Sequence, residues 1–464
     1  MVVTMTSRQH PLYIFYDSQK WLPLLLIPIL RAVFSPRDAV YILLASLRDV
    51  GIALALLAYS SAKWNRARYR LHNGITVRQG LFLPRTLHIL ANDAASIEVE
   101  RSPLMALVRA RRVRINTAGL RRRSDATLYL SAAQARLLLN TGRRRVPLRY
   151  AAQPWPVTVM SASSSNAAVG LLTLAPIARR AASLLGSRFS EEVYGLAGRF
   201  LSLGLPPILE TLANILVVGW AFAFMRSWLR YAGFYAQREG AQLHLVSGLI
   251  TRRDVCIDCQ KIIALELRQT LFMRLFALYT VVITAAGYGR EKGARPVLVP
   301  AARARELSTA LNTLLSDYPI CSSSLRPKRT ALFSYIWLPL LMLCGSILPF
   351  WLGGVWSVAG LLWLLGSLWW LVIRCAGFFR SGFGVGNGAV TLRYARGLAL
   401  YEVHVPAEVA DCILLTRSPW QRRSGACTVE VRCFGEKRRR HRVRALPYEQ
   451  ARVLVERLLT PPQE

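Results

Sequence analysis

Four groups of residues have types and spacings that could do chemistry. "CIDC" (Cys256 to Cys259) sets two thiols at the spacing of a redox pair or of half a zinc site. "GFGVGNG" (Gly382 to Gly388) approaches the glycine spacing of a dinucleotide-binding loop. Glu98 and Glu100 fall on alternate positions, which in a strand puts two carboxylates on one face. The arginine runs Arg121, Arg122, Arg123 and Arg438, Arg439, Arg440 offer guanidinium groups to an anionic surface. Near anionic lipid each such charge adds about 1 kcal/mol.

The contexts of the first three argue against reaction chemistry. A redox pair belongs at a helix start and a zinc site wants a second pair, whereas Cys256 and Cys259 fall in a strand-like stretch that no second pair follows. The glycine run follows an apolar helix and precedes a strand, the reverse of the strand-to-helix context, and Asn387 interrupts it. It reads as a flexible entry loop. Glu98 and Glu100 occur once, and read as surface residues. The six His are dispersed, and no Ser or Asp sits in a nucleophile signature. The expectation is a protein with no catalytic, metal-binding or cofactor-binding residues, hence not an enzyme. The two arginine runs remain as candidate contacts to an anionic surface.

The elements that would position those arginines are largely apolar. Of 464 residues, 53% are hydrophobic, yet the formal net charge is +35. Mean hydropathy is +0.30, which points to membrane segments alternating with basic domains. The cleanest spans are Leu332 to Leu352 and Val355 to Ile373, uncharged and separated by Gly353-Gly354, with Trp near their ends as in an interfacial belt. A second pair is Phe200 to Met225 with the run from Asn166, interrupted by Arg179 and Arg180; a third is Trp21 to Phe34 with Ala39 to Ser60. Arg31, Arg48, Asp49 and Glu210 in these spans read as helix-end residues that reach the interface. No cleavable signal peptide is evident. The eight scattered Cys fit a reducing compartment.

After each pair comes a basic segment with a common order of marks: Gly80-Leu81, Gly248-Leu249 and Gly397-Leu398 at a turn; Arg101, Arg268 and Arg417; a strand-ending Gly119, Gly287 or Gly435; a helix start at Ser131, Pro300 or Pro447; then Ala135-Arg136, Ala304-Arg305 or Ala451-Arg452. Between the marks, "GITVRQGLFLPRTLHIL" and "AQLHLVSGLITRRDVCID" read as strand, turn, strand. Each unit is β-rich and closed by one helix.

These marks, with Tyr69 and Leu71, Arg-Ser-Pro-Leu and Ile-x-Thr-Ala-Gly, resemble the bacterial pleckstrin-homology-like (PH-like) domain, and the whole chain resembles the YdbT-like membrane proteins. The likeness is strongest in the first unit and weakest in the third. It implies an α+β membrane protein in which three transmembrane helical hairpins alternate with three PH-like β-barrel domains, each capped by a C-terminal helix. The divisions are 1–61 (first hairpin), 62–154 (domain), 155–225 (hairpin), 226–319 (domain), 320–379 (hairpin) and 380–464 (divergent domain). The basic excess after each hairpin puts the domains on the cytoplasmic side of a bacterial cytoplasmic (inner) membrane. The expected function is a non-enzymatic scaffold or sensor that binds a protein, peptide or anionic lipid surface, with membrane lipids and a smaller PH-like-domain membrane protein as partners. Nucleic acid is not expected, for want of a stacking platform or recognition helix. The rival is a transporter or channel component with the hairpins as a bundle.

Overall fold

The computed structural model describes residues 7–18, 39–71, 74–90, 93–117, 126–138, 149–164, 207–286, 296–352, 354–434 and 438–459. The expected spans from Trp21 and Asn166, the strand-ending Gly119, Gly287 and Gly435, and the run Arg121, Arg122, Arg123 lie outside them.

One succession of elements occurs three times. In the first unit β1 (Ser7–Arg8) leads into α1 (Leu12–Ser18). Helix α2 (Ala39–Arg66) returns into β2 (Arg68–Leu71), β3 (Gly74–Gln79) and β4 (Arg85–Leu90). Then come β5 (Ala94–Arg101), the short α3 (Pro103–Leu107), β6 (Ala110–Thr117), β7 (Ala126–Ser131) and α4 (Ala132–Leu138). The second unit has β8 (Arg149–Ala151), α5 (Pro154–Ser164), α6 (Pro207–Tyr231), β9 (Tyr235–Glu239), β10 (Gln242–Ser247) and β11 (Arg252–Asp258). It continues with β12 (Ile262–Thr270), α7 (Leu271–Leu275), β13 (Leu278–Ala285), β14 (Val297–Arg303) and α8 (Ala304–Leu314). In the third, a bridge between Leu325 and Phe383 stands for the leading strand. There follow α9 (Leu332–Gly345), α10 (Ile347–Leu352), α11 (Val355–Arg380), β15 (Gly382–Gly386), β16 (Ala389–Arg396), β17 (Ala399–Pro406), β18 (Ala410–Thr416), α12 (Pro419–Arg423), β19 (Ala426–Phe434), β20 (Arg438–Pro447) and α13 (Tyr448–Leu459).

The short helices show why local sequence repeats. Ser102, Thr270 and Ser418 each accept, through the side-chain oxygen, the backbone N–H three residues on, at 3.3, 3.2 and 3.3 Å. This cap satisfies one orphan donor of the first turn. Each helix then ends in a left-handed residue: Arg109 (φ 51°), Ala277 (φ 52°) and Gly425 (φ 63°). By these caps Arg101 and Arg417 match Gln269, so Arg268 sits one position out of the expected equivalence.

The expected closed barrels are instead open sheets that run from one unit into the next. The orders are β1-β2-β3-β4, β7-β6-β5-β11-β10-β9-β8, β14-β13-β12-β17-β16-β15 and β18-β19-β20. At the first joint β5 pairs antiparallel with β11, Val99 opposite Asp254; at the second β12 pairs with β17, Leu267 opposite Glu402. The hydrogen bonds that would close a barrel are thus spent on a neighbour. Cores mix accordingly: Cys256 of β11 packs among Val77, Val113, Ile115 and Leu128 of the first unit. Ile263 and Ala264 of β12 pack among Val390, Val403, Val429 and Val443 of the third. Strand β8 pairs with β9, so these last residues of the 62–154 segment join the second unit's sheet.

Three further expectations change. The "GFGVGNG" run is no loop: its first five residues are β15, paired with β16 through a turn at Asn387 (φ 50°) and Gly388 (φ 67°). A Cβ at Gly384 would lie 2.2 Å from the Ser322 carbonyl oxygen, so the glycine lets the preceding segment lie against the strand. Pro300 lies within β14, and α8 starts at Ala304, where the Glu306 carboxylate accepts from the Arg303 N–H at 3.5 Å. Leu307, not Ala304, therefore occupies the buried position of Ala135 and Ala451. Glu98 and Glu100 are buried, not surface, residues. Arg112 reaches Glu100 at 2.6 Å, Arg114 reaches both, and Arg253 comes across the joint to within 4.0 and 3.9 Å of them.

Among the described residues, Arg329–Pro349 and Ala359–Arg380 are the two helical stretches long and apolar enough to cross a membrane. They lie side by side as α9 and α11. The first breaks at Ser346, where Pro349 cannot donate to Gly345 and the Ser346 hydroxyl bonds the Leu343 carbonyl at 2.6 Å. Helix α11 runs past the expected end at Ile373 to Arg380, 26 residues or about 39 Å of rise. That exceeds the roughly 30 Å of a hydrocarbon core, so its last turns carry Arg374 and Arg380 to the third unit.

Candidate functional site

A basic pocket lies where the third unit meets the ends of α9 and α11. Strand β20 reads Arg-Arg-Arg-His-Arg-Val-Arg from Arg438. With the period of two, His441 and Val443 turn into the core while Arg440, Arg442 and Arg444 turn out. The β16–β17 turn adds Arg396 and Gly397, α11 adds Arg374, and Tyr335 of α9 closes one wall; the cavity holds about 320 Å³. Five guanidinium groups line it and no acidic residue does.

The frame is rigid. The Tyr335 hydroxyl donates to the Arg444 carbonyl at 2.8 Å, and the Tyr335 ring meets Phe378 edge-on at 5.4 Å. Tyr394 behind the pocket shares a 2.8 Å hydrogen bond with His441 Nδ1 and stacks on Tyr401. The Tyr394 hydroxyl is pushed far above its ordinary range, chiefly by burial, so it stays neutral.

The charges are not equally free. Arg442 holds Glu430 through Nε at 3.0 Å, and Arg432 holds it at 2.8 Å. These bonds keep the Glu430 carboxyl below its usual range. Arg440 is 4.0 Å from the same carboxylate. Arg374 stacks over Trp370, 5.5 Å from the ring centre. Arg396 and Arg444 have no carboxylate within ion-pair distance among the described residues. Clustered guanidinium groups in a concave site repel one another unless an anion joins them, and their planar donors match phosphate or carboxylate oxygens. Arg374 is the first charge after the apolar run of α11.

Exposed apolar side chains occupy turns and short helices of the units. Leu249 and Ile250, after the turn at Gly248, are exposed, and the Leu249 N–H bonds the Leu229 carbonyl near the end of α6 at 3.0 Å. Phe82 and Leu83 occupy the matching turn of the first unit, where Arg66 at the end of α2 donates to the Leu81 carbonyl at 2.7 Å. Leu107, Leu275 and Trp420 project from α3, α7 and α12.

Of the arginines singled out by their runs, Arg440 lines the pocket. Arg439 is spent on an ion pair with Glu266 of the second unit. Arg438 begins β20, and its side chain, like Arg121, Arg122 and Arg123, lies outside the described residues. The runs missed Arg374, Arg396, Arg442 and Arg444. Alternation along "RRRHRVR" was the available signal for Arg442 and Arg444; nothing local marks Arg374 or Arg396. In "CIDC", Cys256 lies in β11 and Cys259 opens a 3-10 turn. Burial pushes the Cys256 thiol up to about 12, and nearby Asp254 adds to the shift.

Sheet-rich units with a capping helix, carried on apolar helices, define a class, and the sequence comparison agrees with it. The chain belongs to the bacterial PH domain family, whose model matches residues 23–146 and 194–315. It is a YdbT-like membrane protein: it is 23% identical over 329 residues to the UPF0699 transmembrane protein YdbT of Bacillus subtilis (strain 168). That match covers 63% of this chain and 65% of the relative, so it spans less than two thirds of the relative's length. No solved structure matches.

Proposed function

We propose that this protein is a non-enzymatic scaffold or sensor of the cytoplasmic membrane that captures an anionic headgroup in the pocket of its third unit. In this reading three hairpins, internal repeats of one design, hold three PH-like domains on the cytoplasmic face, with divisions near 62–154, 226–319 and 380–464. A smaller PH-like membrane protein is one class of partner. The observation that carries the proposal is the convergence of Arg374, Arg396, Arg440, Arg442 and Arg444 on one cavity at the end of an apolar helix. The exposed apolar turns beside the other helix ends fit a surface that rests in the interface.

The test uses the full chain in neutral detergent, titrated with short-chain phosphatidylglycerol, phosphatidylcholine or inorganic phosphate and read by native mass spectrometry. Phosphatidylglycerol adducts should form, should fall in the Arg396→Ala/Arg444→Ala double variant, and should not form with phosphatidylcholine. Equal phosphatidylglycerol retention by the variant would remove the pocket as the site. Uptake of inorganic phosphate alone would make the ligand a free anion instead of a lipid.

A further inference from the structure

The two joints between units are the same joint. Strands β5 and β12 each carry a ladder irregularity near the start, between Ala94 and Ser96 and between Ile262 and Ala264, and each ends at a capped short helix. Strand β18 has the same irregularity, between Ala410 and Cys412, and the same capped helix after it. It is the third copy of this edge, and among the described residues nothing pairs with its outer side. At the other end of the chain β4 is the copy of β11 and β17, the strands that receive this edge, and its outer side is likewise unpaired among the described residues. Among the described residues the molecule therefore shows one unpaired donor edge and one unpaired acceptor edge of a joint that it already makes twice.

The β18 end lacks the commonest devices that refuse pairing. Edge strands are ordinarily blunted by Lys, Pro or an inward charge. Strand β18 reads Ala-Asp-Cys-Ile-Leu-Leu-Thr, with no basic residue and no proline. At the positions where the first two joints bury Glu98 and Glu266, it has Leu414. Ile413 and Leu415 pack toward the unit's own core, and half-buried Leu414 alternates to the opposite face, where a neighbour can meet it. Strand β4 offers Leu87 with exposed Arg85, Thr86 and His88.

We propose that β18 of one chain pairs antiparallel with β4 of a second copy of this chain, head to tail in the plane of the membrane. The register follows from the existing joint. Arg253 faces Glu100; Arg253 stands after Gly248 as Arg85 stands after Gly80, and Glu100 stands before Ser102 as Thr416 stands before Ser418. Arg85 then faces Thr416, Thr86 faces Leu415, Leu87 faces Leu414 and His88 faces Ile413. A second copy is the occupant because the edge that fits β18 is an acceptor edge of this design, and this chain carries one that is unpaired among the described residues. The contact is heterologous, so it builds a ring or a filament.

The experiment uses full-length chains in native membranes on a Cys412→Ser background. One chain carries His88→Cys and one tag; the other carries Ile413→Cys and a second tag. Mild oxidation should give an adduct bearing both tags, while Arg85→Cys with Ile413→Cys, out of register, should not. Adding Leu414→Lys, which places a charge in the joint without touching the unit's own core, should lower the adduct roughly tenfold or more and leave the melting temperature unchanged. A symmetric adduct between two His88→Cys chains, a crosslink only to a different protein, or single-chain particles by photobleaching with no two-tag adduct would each overturn the proposal.

Discussion

The hydroxyl of Tyr335, on a helix apolar enough to cross the membrane, donates to the carbonyl of Arg444 on the outermost strand of the third unit. One hydrogen bond thus ties the end of α9 to the strand that supplies three of the pocket's arginines. The residue after Arg444 is Ala445, held at φ 59°, so the carbonyl is presented at a bend in β20.

Tyr335→Phe should keep the edge-on contact with Phe378 but leave the Arg444 carbonyl without this donor. The expected cost is about 1 kcal/mol, read as a lower melting temperature in detergent, together with weaker phosphatidylglycerol retention. Retention equal to the parent protein would mean that the pocket does not depend on this tie.

The left-handed residue after each short helix gives a matched pair of tests. Ala277 strains where Gly425 does not, because a Cβ at positive φ costs about 1–2 kcal/mol. Ala277→Gly should raise stability by somewhat under 1 kcal/mol, since glycine also loses more chain entropy on folding. Gly425→Ala should lower it, although a Cβ there meets nothing within 4 Å. Thermal unfolding of the two variants in opposite directions is the expected result.

His404 supplies a pH dependence. It is buried beside Thr391, whose hydroxyl is 2.8 Å from Nδ1, with Glu402 at 3.7 Å and Arg393 nearby. Burial lowers its pKa below the ordinary 6.5 against the pull of Glu402, and Arg393 adds to the lowering. On acidification through 6.5 the unfolded chain takes up a proton that the folded one refuses, so this contribution to stability is present above that pH and is lost below it. The melting temperature should fall between pH 7 and about pH 5.5, and His404→Gln should flatten part of that slope. An identical slope in the variant would exclude His404 as a source.

Cys256 should resist alkylation. With its thiol near 12, almost none is thiolate at about pH 8. Mass spectrometry after iodoacetamide should find Cys256 unmodified in the folded protein and modified after denaturation. Labelling under native conditions would show that β11 leaves β5.

The strands were legible in sequence wherever a hairpin is local. The turns at Gly80 and Gly248 fall where "GITVRQGLFLPRTLHIL" and "AQLHLVSGLITRRDVCID" read as strand, turn, strand. Asn387-Gly388 carries a hairpin-turn signal, but the whole run read as an entry loop. The reason for its glycines is the close pass of Ser322, which sequence spacing does not show. Pro300 misled because proline favours a first helical turn, yet here it sits in β14. Glu98 and Glu100 read as surface residues because their partners are Arg112, Arg114 and, across the joint, Arg253. The pocket's arginines come from three separate stretches of chain, so a search for adjacent arginines finds only its edge.

In each unit a long helix passes into the first strand with little intervening chain: α2 ends at Arg66 and β2 begins at Arg68, α6 ends at Tyr231 and β9 begins at Tyr235, α11 ends at Arg380 and β15 begins at Gly382. In the third unit a Cβ on Gly377 would come within 2.4 Å of Ala395 Cβ, so helix and sheet touch as well as join. Such a helix turns as one body with the sheet it enters. A helix longer than the local hydrocarbon thickness tilts to fit it. Thinning or thickening of the bilayer would then turn the sheet through the same angle, and the orientation of the sheet edge far from the helix would become a gauge of membrane thickness.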